Sequence, residues 1–126
     1  MDTNSFSLDY NKWNKIIESI VAVNPNDATI KIPTPRKEFT TMDSSSSNNI
    51  VIKTVSHSYN LISIKNVLNY SDLISYNLPI IHKYNLNPIA MLNMLKDFEH
   101  SQTIEIDLLD GITIVSNGVL AKCLTD

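Results

Sequence analysis

The two halves of this 126-residue chain follow one plan, and that repetition limits the possible folds more than any single residue does. Each half opens on a short apolar stretch, enters an amphipathic helix and continues into strand-like runs joined by turns. In the first half, about residues 1–70, the order is Phe6-Ser7-Leu8, a helix over Asp9–Asn24, then strands. In the second, about 71–126, it is Pro79-Ile80-Ile81, a helix over Asn87–Glu99, then strands to the C-terminus. The length suits one domain with a real core. The expectation is a single α+β domain over 1–126, made of two pseudo-repeated strand–helix–antiparallel-sheet halves.

Trp13, Ile16, Ile17, Ile20 and Val21 recur at helical spacing, with Asn11, Asn14, Lys15 and Glu18 opposite. Ser7 or Asp9 can cap this helix, and Asn24-Pro25-Asn26-Asp27 ends it, since proline cannot continue a helix. Ala28–Ile32 alternates and is rich in β-branched residues, so it reads as a strand. Pro33-Thr34-Pro35-Arg36 reads as a turn, Lys37–Met42 as a candidate return strand, and Asp43–Asn49 as a Ser/Asn-rich loop. Ile50–Val55 and Leu61–Lys65 read as a hairpin joined through His57-Ser58-Tyr59-Asn60, and Ser71–Asn77 as a helical turn or an extended connector.

Asn87-Pro88 is a cap followed by proline at the first helical position. Ile89, Leu92, Leu95 and Phe98 mark a buried stripe, with Met91 and Met94 beside it as core fillers. Thr103–Leu109, Ile112–Ser116 and Val119–Leu124 form a three-strand meander. Its turns, Asp110-Gly111 and Asn117-Gly118, suit a backbone with positive φ and take both glycines of the chain.

That use of glycine bears on chemistry. None remains for a phosphate-cradling or dinucleotide-binding loop. Cys123 is the only cysteine, so no intrachain disulfide can form and a reducing compartment fits. His57, His82 and His100 are scattered and read as surface or hairpin residues. Glu105 and Asp107 project to one side of a strand, with Asp97 and Glu99 just upstream. Such carboxylates can hold a divalent cation or move protons, but a solvated sheet face is the plainer expectation. No catalytic residue, metal or cofactor is expected, and the chain reads as non-enzymatic. No apolar run reaches the roughly 18 residues of a membrane helix, and the N-terminus lacks a signal-peptide pattern.

A net charge of −3 argues against indiscriminate coating of nucleic acid. A basic face remains open. Lys12 and Lys15 on the first helix, and Lys96 beside Asn93 on the second, would offer phosphates a thin polar surface if both helices share one face of a sheet. The abundance of Asn and Ile fits an AT-rich genome, such as that of a virus, a phage or one of several bacterial groups.

The helix-plus-meander unit, occurring twice, resembles one domain of the DNA sliding clamps, the family of PCNA, the bacterial β clamp and the phage processivity clamps. Glu38-Phe39-Thr40-Thr41-Met42-Asp43-Ser44-Ser45, followed after a short loop by Ile50-Val51-Ile52, looks like the clamp strand that ends in Met-Asp-Ser-Ser. Asn87 through Val115 looks like the clamp pattern of a short helix, an alternating acidic strand, a turn and a return strand. Phe6-Ser7-Leu8 before the first helix fits the opening of a clamp domain.

The resemblance implies two helices side by side on the inner face of a ring and no catalytic centre. It also implies head-to-tail pairing of subunits through edge strands, a heterologous contact that closes if the rotation permits. The candidate edges are Leu61, Ile62, Ser63, Ile64 and Lys65, and Val119, Leu120, Ala121, Lys122 and Cys123. Known clamps carry two or three such domains per chain, so a one-domain chain implies a homo-oligomer of about six subunits by analogy. Weak, sequence-independent contacts to double-stranded DNA would come from Lys12, Lys15, Asn93 and Lys96. A polymerase or another replication or transcription protein would dock on the ring, in the cytoplasm of a host cell. The competing reading is a small protein-binding adaptor or inhibitor of a host enzyme. Lysines facing one way, and ring assembly, separate the two.

Overall fold

A computed structural model describes residues 4–32, 49–56, 62–79, 82–108, 111–116 and 118–123. The chain runs through β1 (Ser5–Asp9), α1 (Tyr10–Val23), β2 (Ala28–Ile32), β3 (Asn49–Val55), β4 (Ser63–Asn69), β5 (Ser75–Asn77) and β6 (His82–Leu86). It continues through α2 (Pro88–Leu95), β7 (Thr103–Asp107), β8 (Ile112–Ser116) and β9 (Val119–Cys123). Single 3-10 turns occupy Tyr70–Asp72 and Lys96–Phe98. The strands form two antiparallel sheets, one ordered β5-β1-β7-β8-β9 and the other β4-β3-β2-β6. This is an α+β fold. The opening strand β1 sits in the sheet of the C-terminal meander, while β6 pairs with β2 in the other sheet.

The first helix forms where its sequence says it should. Asp9 resolves the choice of cap: its carboxylate accepts from the Lys12 backbone N–H at 3.1 Å. Asn24 closes the helix, its N–H bonding the Ile20 carbonyl and its side-chain amide donating to the Val55 carbonyl at 3.0 Å. The buried stripe is Tyr10, Trp13, Ile17 and Ile20. On α2, Asn87 accepts from Ala90 N–H at 3.1 Å and Pro88 takes the first position.

The stripe on α2 keeps Leu95 and Phe98 as expected but differs in its first turn. Pro88, Met91, Leu95 and Phe98 are buried, while Ile89 is 37% exposed. Pro88 sets the phase: counting i+3 and i+7 from it reaches Met91 and Leu95, and the unbranched Met91 fits the gap. The α-helix also ends at Leu95 and finishes as a 3-10 turn rather than running to Glu99.

Two strands differ from their expected bounds. The second half opens on His82–Leu86, whose inward Tyr84 and Leu86 lie opposite Ile30 and Ala28; Ile80 and Ile81 lie outside the described residues. β4 runs to Asn69 instead of stopping at Lys65, because inward-facing Asn66 finds a partner in the Ser19 hydroxyl at 3.2 Å. The Ser71–Asn77 connector contains both expected forms, the end of a 3-10 turn and a short strand. The C-terminal meander is present, and Gly111 and Gly118 have φ of 78° and 81°. The Met-Asp-Ser-Ser segment, Lys37–Met42 and the His57–Asn60 turn lie outside the described residues.

Both sheets and both helices share one apolar core. Its centre is Trp13, Ile17 and Ile20 from α1, Met91 and Leu95 from α2, and the inward residues of β2, β3, β7 and β8. The helices pack on each other, and α1 also lies on β1, β3 and β4. The Tyr10 phenol donates to the Leu95 carbonyl at 2.7 Å across the helix pair. Burial, then the negative charges of Glu99 and Glu18, raise its pKa above the ordinary tyrosine value. Each helix start is also tied to the turn after the other helix. Tyr10 N–H donates to the Gln102 carbonyl at 2.9 Å, and Ile89 N–H donates to the Pro25 carbonyl at 3.0 Å. Leu95→Ala should therefore cost about 2–5 kcal/mol in urea unfolding; a negligible loss would mean that α2 does not pack through this residue.

Candidate interaction surfaces

The residues singled out on the helices occupy one layer. Lys12, Lys15, Asn93 and Lys96 are all exposed. Helical periodicity places Lys15 and Asn93 opposite the buried stripes of their helices, and Lys12 on a flank. Lys12 reaches Asp72 at 3.7 Å, a half-exposed ion pair of little energetic weight. The layer is not basic overall. Lys12, Lys15 and Lys96 share it with exposed Glu18, Asp97 and Glu99, three charges of each sign.

The candidate subunit edges are edges of their sheets. Among the described residues, β4 pairs only with β3 and β9 only with β8. Ile64 is half-buried and faces inward, while Ser63 and Lys65 face out. Both edges carry exposed apolar side chains: Ile62 is 53%, Val119 52% and Leu120 65% exposed, as are Ile74 and Tyr76 beside and on β5, at 61% and 53%. Ala121 packs against the core, and Lys122 is exposed. Cys123 ends β9, and Leu61 lies outside the described residues.

The carboxylates do not assemble into a metal site. Glu105 and Asp107 share the outer face of the five-stranded sheet, where their cross-strand neighbours are Ser5, Ser7, Thr113 and Val115. No group of three His, Cys, Asp or Glu that could hold a metal ion occurs among the described residues. His82 stacks edge-on against Tyr84 at 4.6 Å, and exposed His100 sits 3.7 Å from Glu99. No described helix is long and apolar enough to cross a membrane.

A set of residues that sequence reasoning did not bring together, although it named Lys65 as part of an edge, lies on the outer face of the four-stranded sheet. Alternation along the strands points Lys31, Lys53, Lys65 and Lys83 away from the core, and all four are exposed. Register then pairs them directly across strands, Lys31 with Lys83 and Lys53 with Lys65. The polar phase of each strand was visible in the sequence, but the β2–β6 pairing was not. The outer face of the other sheet carries Asp9, Glu105 and Asp107 beside Lys122, so the two outer faces differ in sign.

The chain matches no protein-family model, and no curated protein matches it.

Proposed function

We propose that this protein is a non-enzymatic, DNA-associated accessory factor built like one sliding-clamp domain, whose copies assemble head to tail and dock replication or transcription proteins. The observation that carries this reading is the reciprocal exchange of opening strands. β1 borders the β7-β8-β9 meander, and β6 borders the β2-β3-β4 set in the matching order. The paired helices, each tied at its start to the turn following the other, support the same two-fold plan. The exposed edges β4 and β9, with Ile62 just before the first and Val119 and Leu120 on the second, suit a contact between copies that continues the sheets.

In this reading the helix layer faces the DNA and supplies weak phosphate contacts. Changing Lys12, Lys15 and Lys96 together to Glu should weaken association with duplex DNA while leaving the unfolding midpoint nearly unchanged, since all three are exposed. Unaltered DNA association would remove these lysines from the interface. One observation favours the competing adaptor reading: the balanced charge of the helix layer, which asks for no polyanion. A chain that stays monomeric and binds no DNA through any face would be read as an adaptor.

A further inference from the structure

We propose that the outer face of the four-stranded sheet is a second, independent nucleic-acid surface, which binds the phosphate backbone through Lys31, Lys53, Lys65 and Lys83. These are the charged residues on the outward positions of the four strands, and no acid stands among them. The remaining outward positions are Thr29, Asn49, Val51, Val55, Ser63, Val67, Asn69 and Asn85, all uncharged. Like charges placed directly opposite each other weaken a sheet. This sheet contains two such pairs, side by side, with no ion pair to offset them among the described residues. Packing offers no reason for them, because each ammonium points away from the core.

The shape of the patch selects the ligand. In the strand order β4-β3-β2-β6 the lysines form a row, Lys65, Lys53, Lys31, Lys83, with one diagonal step where Lys53 lies opposite Thr29. Strands lie about 4.8 Å apart, so the row crosses about 14 Å. That is about four phosphate steps of one strand at roughly 3.4 Å of rise each. A row of positive charge suits a linear polyanion better than it suits a compact acidic site. Between Lys53 and Lys83 lies a depression of about 260 Å³, lined also by Asp27, Thr29 and Val55. The Thr29 hydroxyl there offers a neutral donor beside the two ammonium groups, and Asp27, in the loop entering β2, is the one acid lining it. The outer face of the other sheet, with Glu105 and Asp107, is the wrong sign for the same partner and would turn away from it.

This surface does not depend on the clamp reading, because a single copy presents the whole row. The test measures anisotropy of a short labelled duplex, and of one of its strands alone, against NaCl concentration. Wild type is compared with Lys31→Gln/Lys53→Gln/Lys65→Gln/Lys83→Gln, with the same four positions changed to Arg, and with Lys12→Gln/Lys15→Gln/Lys96→Gln. The sheet Gln variant should lose roughly ten-fold or more in affinity at low salt. Its slope of log K against log salt should shrink by about 2 to 4, at about 0.9 per duplex phosphate contact. The Arg variant should retain both, which separates lost charge from lost fold. A sheet Gln variant that binds like wild type overturns the proposal. So does a wild-type chain that binds neither probe, or a sheet Gln variant whose only change is reduced self-association, which would assign the row to the acidic face of a second copy. Loss of binding only in the helix variant would overturn this inference while leaving the clamp reading intact. The converse result would sustain the inference and remove the helix lysines.

Discussion

Trp13→Ala should destabilise the fold by about 3–5 kcal/mol, a large part of the 5–15 kcal/mol typical of a whole domain. Trp13 is wholly buried in the first turn of α1, edge-on to Phe6 of β1 with ring centroids 5.7 Å apart. It therefore joins the first helix to the strand that enters the opposite sheet. Truncation removes the largest buried side chain and leaves a void that helix and strand cannot both close. Its indole Nε1–H finds no hydrogen-bond partner among the described residues. Neither substitution therefore deletes a hydrogen bond, and Trp13→Phe should be much milder than Trp13→Ala because its ring refills most of the volume. Because Trp13 is the only tryptophan, unfolding must be followed by far-ultraviolet circular dichroism rather than tryptophan emission. A loss under about 1 kcal/mol for the alanine variant would contradict the placement of this residue at the core.

Ile62→Lys combined with Leu120→Lys should dissociate the assembly proposed here, with little effect on the folded monomer. Both side chains are more than half exposed, one just before β4 and the other on β9. Fully burying a large aliphatic side chain contributes about 1.5–3 kcal/mol, and these two have little more than half their surface left to bury, so together they contribute about 2–3.5 kcal/mol per contact. At 1.4 kcal/mol per ten-fold, that raises the dissociation constant by about twenty-fold or more. Charged edges also oppose strand addition directly. The variant should elute as a monomer at concentrations where wild type assembles. An unchanged elution volume for an assembled wild type would place the contact elsewhere.

The elements most legible in the sequence were those with strong local signals. Asp9 and Asn87 cap their helices, and Gly111 and Gly118 take the positive φ that their turns require. The alternation in Thr103–Asp107 put Ile104 and Ile106 inside and Glu105 outside. What was not legible depended on pairing over long sequence distances. Nothing local says that β1 borders β7, or that Lys83 stands across from Lys31. The stripe on α2 was legible at Leu95 and Phe98 but not at its start, because Ile89 looks more like a core residue than Pro88 or Met91 does, and helix phase from Pro88 decides between them. The strand expected to stop at Lys65 continues through Asn66, whose amide reaches Ser19 on α1. On the surface, the helix lysines were named for their positions in sequence. Their acidic neighbours Glu18, Asp97 and Glu99 were in plain view, but only packing α1 against α2 puts all six charges on one layer.

The two outer sheet faces give a physical reason to look for partners on both sides of the molecule. One is lysine-rich, the other acidic, and the helix layer is neutral. In this charge layout the sheet lysines offer a polyanion an attractive face in addition to the weak contacts proposed for the helix layer, despite a net charge of −3. High salt should weaken that attraction, because exposed charges are screened beyond about 10 Å at 0.1 M ionic strength.

The central claim, that copies of this domain join edge to edge into a closed assembly, is tested most directly by mass in solution. Light scattering behind a sizing column, over a range of loading concentrations, should give one discrete multiple of the 14.2 kDa chain that holds its mass on dilution. A monomer at every concentration, or a mass that climbs without limit as an open filament would, contradicts closure through β4 and β9.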